Sequence, residues 1–118
     1  MKKDNKIYLT LVVIVLIIIA GIYYFKNMNQ DVLDQKTAEC IASKAVMYSQ
    51  TACSHCITQK QILGNYSSLF NIVECDKDIK KCQDAQILGT PTWIINNTNI
   101  QKIEGVQTIK QLKELTNC

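Results

Sequence analysis

The sequence has little of several features that would point to other classes of protein. Its 118 residues contain no internal repeat and no low-complexity segment, which argues against repeat architectures and long disordered tails. It has one proline, Pro91, and one histidine, His55, so any role of either residue type falls on a single position. The length suits one small domain.

Net charge is also small once the first residues are set aside. The formal charge of the whole chain is +3, but residues 27–118 hold nine lysines against nine acidic residues. Such a balance argues against a nucleic-acid partner. Residues 1–6 carry +2 of this charge and Lys26 carries the remaining +1, so the excess flanks the apolar segment and bears on membrane topology instead.

Charge is missing altogether from Ile7 to Phe25. A helix of these 19 residues would be about 28 Å long, roughly the hydrocarbon core of a membrane. Three lysines precede it, so the positive-inside rule puts the N-terminus in the cytoplasm and the rest in a periplasm, at the cell exterior or in an equivalent lumen. We therefore predict a basic flank at 1–6, a single-pass signal anchor at 7–25 and a linker at 26–37. A cleaved signal peptide is the alternative, and it exports the same residues.

All six cysteines lie beyond this segment, at positions 40, 53, 56, 75, 82 and 118. An even number of cysteines in a small exported domain indicates disulfide chemistry. Six cysteines allow many pairings, and spacing alone does not choose among them. A zinc site would need a second pair at ligand spacing. Cys75 and Cys82 are too far apart in sequence to supply it, so we expect no metal.

A C-x-x-C motif, Cys53-Ser54-His55-Cys56, lies between a predicted buried strand, Ala45–Ser49, and a predicted amphipathic helix. The first cysteine is therefore near a helix N-terminus, where free N–H groups and the helix dipole favour a thiolate. Cys53 is the candidate nucleophile, with the lower pKa and greater exposure, and Cys56 the candidate resolving thiol. An imidazolium at His55 would stabilise the thiolate further, and Ser54 is a second tuning candidate. The alternatives are a structural bridge and, for His55, a solvated loop residue.

The remaining patterns predict the order helix, β-α-β, helix, β-β-α. The predicted strands are Ala45–Ser49, Leu69–Glu74, Thr92–Ile95 and Ile100–Ile103. Asp31 caps a first helix through Ala42, Asp76-Lys77-Asp78 opens a helix that runs through Lys80 to Leu88 and is closed by Gly89, and Thr108 caps the last helix. Because a helix connects the first two strands, we expect these strands to run parallel.

With these elements in place, the sequence resembles the thioredoxin-like domains that are fused to, or paired with, vitamin K epoxide reductase homologues. The resemblance covers about residues 38–118. The matching residues are Met47-Tyr48, Cys53-Ser54-His55-Cys56, Gln59-Lys60, Val73-Glu74-Cys75, Cys82, Gly89-Thr90-Pro91-Thr92-Trp93 and Gly105-Val106-Gln107. The resemblance implies an α/β, thioredoxin-like fold, with a central mixed β-sheet flanked by helices, preceded by one N-terminal transmembrane helix.

The resemblance also implies how the site works. The bond before Pro91 would be cis and face the C-x-x-C motif, and the backbone of Thr90 would pair with an extended segment of a cysteine-containing protein substrate. The C-x-H-C pattern is similar to that of strongly oxidising DsbA-like proteins, which suggests disulfide donation. No dissociable cofactor would be needed, and a quinone-linked membrane oxidase of the vitamin K epoxide reductase type would reoxidise the pair.

The four other cysteines are expected to form structural disulfides. Cys75 and Cys82 flank a short loop and would form a local bridge that pins the following helix. A second redox pair that relays electrons to the C-x-x-C motif is the alternative. Cys40 and Cys118 stand at the two ends of the domain, as cysteines do in related domains, and a bridge between them would close a long loop.

The sequence departs from familiar thioredoxins at two places. The predicted strand Ala45–Ser49 carries no carboxylate to assist proton transfer, and Thr51-Ala52 replaces the tryptophan that is usual before the first cysteine. Two other functions stay open. One is a reductive thiol relay to a specific exported client, and the other is a non-catalytic binding module with the same fold.

Overall fold

The computed structural model describes residues 2–28 and 32–118. The chain divides into two compact units, one reaching to Val32 and the other running from Leu33 to Cys118. The predicted helix cap at Asp31 lies outside the described residues.

The first unit contains one long helix, α1, Lys2–Met28. Its segment Asn5–Phe25 is long and apolar enough to cross a membrane, and its apolar side chains are exposed. The predicted span at 7–25 falls inside this segment. Length and composition also fit a signal sequence, so α1 is a candidate membrane span.

The second unit is built on a mixed four-stranded sheet. Its strands are β1 Ala45–Ser49, β2 Asn71–Glu74, β3 Thr92–Asn96 and β4 Ile100–Glu104. They lie in the order β2-β1-β3-β4; β1 is parallel to β2, and the other two pairs are antiparallel. The predicted mixed sheet is confirmed, including the parallel pair that a helical connection requires.

Among residues 33–118, four α-helices accompany the sheet: α2 Gln35–Lys44, α3 Ser54–Leu63, α4 Ile79–Asp84 and α5 Ile109–Thr116. A 3-10 helix at Gly64–Leu69 follows α3. The elements follow one another in the predicted order of helix, β-α-β, helix, β-β-α.

Two elements begin later than predicted. Helix α2 is capped by Asp34, whose carboxylate accepts the Thr37 N–H at 3.3 Å. Strand β2 begins at Asn71 rather than Leu69, because the 3-10 helix extends through Leu69 before the chain becomes extended.

Helix α4 is shorter than predicted and ends at Asp84 rather than at position 88. Gln86 adopts a left-handed conformation, with φ of 53°. Its N–H bonds to the Gln83 carbonyl, and the Ile87 N–H bonds to the Cys82 carbonyl, both at 2.9 Å. These bonds complete a Schellman motif. The predicted end at Leu88 relied on Gly89 as the residue that closes the helix. It was too late, because the left-handed residue that closes α4 is Gln86.

The core lies on one face of the sheet. Met47, Trp93 and Ile95 on this face are fully buried. Trp93 also packs edge to face against Phe70, with ring centroids 5.9 Å apart. Buried side chains from α2, α3 and α5 cover this face, among them Ile41, Leu63 and Leu112.

A disulfide closes the unit. Cys40 in α2 is bonded to Cys118, which lies 78 residues further along the chain. Asn117 ends α5 in a left-handed conformation, with φ of 53°, and this turn brings Cys118 back to α2. Nearby, Lys44 donates to the Thr116 carbonyl at 2.8 Å, so α2 and the end of α5 are tied by a covalent and a polar link.

Replacing Cys40 and Cys118 together by serine should lower the free energy of unfolding by about 4 kcal/mol, because a long closed loop restricts the unfolded chain strongly. Denaturant unfolding of the full-length chain without reductant, followed by Trp93 fluorescence, measures the loss. The control replaces Cys75 and Cys82, which are only 7 residues apart; the same model gives about 2.5 kcal/mol for them. Equal losses in the two variants would contradict the loop argument.

Candidate active site

The turn that leads from β1 into α3 places Cys53 at the head of the helix. The Cys53 N–H bonds to the Gln50 carbonyl at 3.4 Å. Between them, Ala52 has a φ of 63°, which a residue with a Cβ rarely adopts. Cys53 is the N-cap of α3, and its Sγ accepts the Cys56 N–H at 3.1 Å. One free N–H of the helix N-terminus is thus aimed at this sulfur, where it and the helix dipole would stabilise a thiolate.

Cys53 and Cys56 form a disulfide, with their Cα atoms 5.2 Å apart. The two residues differ in exposure, since Cys53 is half-buried whereas Cys56 is 1% exposed. Of the pair, Cys53 is therefore the one that another thiol can approach. This geometry fits the roles of nucleophile and resolving cysteine.

The loop before β3 lies against the same sulfur. The Thr90–Pro91 peptide bond is cis. The carbonyl oxygen and the hydroxyl oxygen of Thr90 each lie 3.5 Å from Cys53 Sγ. The Pro91 carbonyl accepts the Gly105 N–H at 2.8 Å, so a third segment, after β4, joins the first two. The fold thus brings Thr90 and Pro91, the predicted substrate-binding residues, beside the predicted nucleophile.

Ser54 and His55 occupy the first turn of α3, and both are exposed. Within residues 32–118, neither side chain hydrogen-bonds to Cys53. The expected tuning role of His55 would therefore operate through charge and not through a direct contact.

A buried glutamine ties the three segments together. Gln59 in α3 has no exposed surface. Its Oε1 accepts Nε1–H of Trp93 at 3.1 Å and the Gln107 N–H at 2.6 Å, and its Nε2 donates to the Gln107 carbonyl at 3.0 Å. The sequence marked Gln59 only through the resemblance. Its spacing could have singled it out, since it lies three residues after Cys56 and four before Leu63, on the helix face that enters the core.

The second disulfide adjoins the turn of the first. Cys75 and Cys82 are bonded across the β2–α4 connection, with Cα atoms 5.6 Å apart. The Cys75 N–H bonds to the Ser49 carbonyl at 2.8 Å, and the Asp76 carboxylate accepts the Thr51 N–H at 3.2 Å. Hydrogen bonding by the side chain and backbone of Thr51 lowers the pKa of Asp76. This contribution to stability is therefore present at neutral pH and is lost as the pH falls through the lowered pKa.

Strand β1 carries no carboxylate, but its neighbour β2 does. Glu74, at the end of β2, is in register with Ser49 of β1. Glu74 Oε1 lies 2.6 Å from Nζ of Lys60 in α3. The other Glu74 oxygen and the Ser49 hydroxyl are buried and have no hydrogen-bond partner among the described residues. No sequence pattern predicted this ion pair, because its members come from elements that only the fold brings together.

All six cysteines are engaged in the three disulfides. Among the residues that the structure describes, no group of three or more His, Cys, Asp or Glu side chains is placed to hold a metal ion.

No family model matches the chain. Among solved structures, a thioredoxin from Malassezia sympodialis gives a TM-score of 0.50 at 18% identity, covering 62% of this chain and 71% of that one. The fold is thioredoxin-like. A second solved structure, the alkylhydroperoxide reductase AhpF of Enterococcus faecalis, gives a TM-score of 0.50 at 15% identity and covers 72% of this chain and 44% of that one. At such low identity these likenesses concern the fold alone.

In sequence, the thioredoxin-like chain is similar to the thiol-disulfide oxidoreductase LTO1 of Arabidopsis thaliana. The two are 38% identical over 81 residues, which cover 61% of this chain and 21% of that protein. The chain therefore corresponds to about a fifth of the length of this relative.

Gln59→Leu should lower the free energy of unfolding by about 2–6 kcal/mol. The substitution leaves the buried N–H groups of Trp93 and Gln107 without an acceptor, at about 1–3 kcal/mol each. Denaturant unfolding followed by Trp93 fluorescence measures the loss. Gln61→Leu is the matched control, because Gln61 is exposed on the same helix and should change stability by less than about 0.5 kcal/mol. Similar losses in both variants would remove Gln59 from this role.

Proposed function

We propose that the chain is a thiol–disulfide oxidoreductase that exchanges through Cys53 and Cys56. The observation that carries the proposal is the placement of one accessible sulfur. Cys53 caps α3, is bonded to the buried Cys56 and lies 3.5 Å from Thr90. The thioredoxin-like fold and the relative named as a thiol-disulfide oxidoreductase support it.

The proposed exchange proceeds by two thiolate displacements. A substrate thiolate attacks Cys53 Sγ, the Cys53–Cys56 bond breaks, and Cys56 leaves as a thiolate that takes up a proton. A second substrate thiolate then attacks the substrate sulfur of the mixed disulfide, and Cys53 leaves as a thiolate. The substrate is oxidised to a disulfide and the protein pair is reduced to two thiols. No dissociable cofactor takes part.

The residues around Cys53 assist this exchange through the thiolate. The Cys56 N–H and the N-terminus of α3 stabilise negative charge on Cys53, which makes it a good leaving group. The exposed His55 adds positive charge when protonated. Ser54 lies exposed between the two cysteines, where it adds no formal charge.

Cysteine-containing proteins are the proposed substrates. Within residues 32–118 the Thr90 N–H has no hydrogen-bond partner, so an extended segment of a substrate can pair with it. Such pairing, beside Pro91, would hold the substrate cysteine over Cys53.

Cys56→Ala should trap mixed disulfides between substrates and Cys53 in cells, because the resolving thiol has been removed. Non-reducing electrophoresis and mass spectrometry of the affinity-purified full-length chain detect the adducts. Cys53→Ala is the matched control and should trap about tenfold less, since Cys56 is 1% exposed. If no adduct forms through Cys53, the enzyme proposal fails and the binding module takes its place.

We further propose that the protein is a membrane-anchored disulfide donor in oxidative protein folding. Residues 1–6 would lie in the cytoplasm, 7–25 in the membrane and 26–37 in a linker, with the catalytic domain 38–118 on the extracytoplasmic side. The apolar helix α1 supports the anchor, and the three lysines before it support the orientation. Three disulfides suit an oxidising compartment.

A quinone-linked membrane oxidase of the vitamin K epoxide reductase type is the proposed partner that reoxidises Cys53 and Cys56. The motifs that this sequence shares with thioredoxin-like domains fused to, or paired with, such oxidases support this assignment. The partner should appear among the adducts of the Cys56→Ala trap as an integral membrane protein, because its disulfide also reacts with Cys53.

A disulfide donor on the outer side should be mainly oxidised at steady state. In intact cells, a membrane-impermeant maleimide should label Cys53 only after an impermeant phosphine has reduced the pair. The full-length Cys53→Ser variant supplies the background from other cysteines. Labelling without reductant would favour the reductive relay, and no labelling even after reduction would place the domain on the inner side.

A further inference from the structure

We propose that Asp76 is a positioning residue for the exchange at Cys53, because its carboxylate holds the turn that carries this cysteine to the head of α3. Among residues 32–118 no hydrogen bond joins Asp76 to the reacting sulfur, so it acts through the backbone of Thr51. The inference rests on the proposed exchange function. It adds a residue outside the C-x-x-C motif that sets how much of Cys53 is thiolate.

The turn at residues 50–52 has little of its own to hold it in place. All three residues are exposed, so no side chain anchors the turn in the core. Ala52 has a φ of 63°, which is unfavourable for a residue with a Cβ. The bond that closes the turn, from the Cys53 N–H to the Gln50 carbonyl, is long at 3.4 Å. By itself this turn would therefore leave the left-handed conformation readily.

One hydrogen bond reaches these three turn residues from another segment among residues 32–118. The Asp76 carboxylate accepts the Thr51 N–H at 3.2 Å. Thr51 directly precedes Ala52 and is two residues before Cys53, so the Cα atoms of Thr51 and Cys53 are at most about 7 Å apart. Hydrogen bonding from Thr51 lowers the pKa of Asp76. The acceptor is therefore a carboxylate at neutral pH, and a charged acceptor makes the stronger bond.

The loop that carries Asp76 is itself held at both of its ends. The Cys75 N–H bonds to the last carbonyl of β1 at 2.8 Å, directly before the turn. The N–H groups of Lys77 and Asp78 bond to the Glu74 carbonyl at 3.0 and 2.9 Å. Asp76 is thus an acceptor that is already in place, so binding the turn requires little further ordering of its loop.

The position of Cys53 decides how well its thiolate is stabilised. Its Sγ accepts the Cys56 N–H at 3.1 Å, at the N-terminus of α3. If the turn relaxed to conformations with a negative φ at Ala52, Cys53 would move away from this N–H and from the helix dipole. A smaller fraction of Cys53 would then be thiolate. The bond from Asp76 to the turn therefore supports the geometry that favours the reacting thiolate.

The charge of Asp76 acts in the opposite direction. A carboxylate near a thiolate disfavours the thiolate by like-charge repulsion. Solvent exposure of Asp76 weakens this repulsion, and the positive charge of the neighbouring Lys77 offsets it further. Position and charge thus predict opposite results when Asp76 is replaced. A neutral replacement that keeps the acceptor oxygen separates the two.

The test measures how the rate of Cys53 alkylation by iodoacetamide depends on pH, since the thiolate is the form that reacts. The full-length chain is held in lipid nanodiscs with the Cys53–Cys56 pair reduced, and mass spectrometry scores molecules that keep the other two disulfides. Below the midpoint of the profile, Asp76→Ala should lower the rate about three- to tenfold, as expected for losing one hydrogen bond. Asp76→Asn, which keeps an acceptor oxygen, should stay within about twofold of the wild-type chain.

Asp34→Ala is the matched control. The Asp34 carboxylate is also exposed and also accepts a backbone N–H, that of Thr37 at 3.3 Å, but it does so at the start of α2. Losing this bond should leave the Cys53 profile unchanged. A second variant tests the strain in the turn. Adding Ala52→Gly to Asp76→Ala should recover most of the lost rate, because glycine adopts a positive φ without a steric cost.

The outcomes separate the inference from the function on which it rests. If the wild-type Cys53–Cys56 pair does not exchange with glutathione, the proposed function fails. If it exchanges, but Asp76→Ala leaves the Cys53 profile unchanged, the positioning role is overturned and the proposed function stands.

Three other results would also overturn the positioning role. Equal rate increases in Asp76→Ala and Asp76→Asn would mean that Asp76 acts through its charge, and equal losses in the two would mean that the acceptor oxygen is not what matters. A similar loss in Asp34→Ala would indicate general loosening of the domain. Failure of Ala52→Gly to restore the rate would show that the bond does not hold the left-handed turn.

Discussion

The side-chain amide of Gln59 is buried and makes three hydrogen bonds, which cross from α3 to β3 and to the segment before α5. An amide removed from water is unfavourable unless its donors and acceptors are paired. Helix α3 is therefore favoured in the one position where Trp93 and Gln107 meet Gln59. Cys53 heads this helix, so the distance between its sulfur and Thr90 depends on the same three bonds. The geometry of the candidate site is fixed from inside the core.

The turn before Cys53 is also held in place by the loop that follows β2. The Cys75 N–H reaches the carbonyl of Ser49, and the Asp76 carboxylate reaches the N–H of Thr51. The Cys75–Cys82 disulfide anchors this loop to α4. A left-handed alanine in the turn is unfavourable by itself, and bonds on both sides of the turn offset its cost. A domain with a modest core thus supports its site with covalent links and a few placed polar groups.

Local signals in the sequence predicted the order of elements and the cysteine motif, because each signal acts over a few residues. An apolar strand followed by Cys53 and an amphipathic helix is one example, and the glycine, proline and tryptophan around Thr90 are another. Local rules missed the end of α4, where Gln86 takes the left-handed position usually given to glycine. They also missed the contacts of Gln59, since these join residues 34 and 48 positions apart. Such contacts depend on tertiary packing, which no short window of sequence contains.

The carboxylates nearest the turn before Cys53 bear on the charge that its sulfur can carry. Oε1 of Glu74 is paired with Lys60, and Asp76, two residues beyond β2, is engaged by Thr51. Among the described residues, no hydrogen bond joins a carboxylate to Cys53. Its sulfur meets instead a helix N–H and the neutral oxygens of Thr90.

Those surroundings favour a thiolate on Cys53 and so favour the reduced pair, which is what the proposed role as a disulfide donor requires. The absence of a carboxylate in β1 removes a group that would oppose this charge. The same feature of the sequence therefore supports the proposed direction of exchange, since it leaves a thiolate that is easy to release.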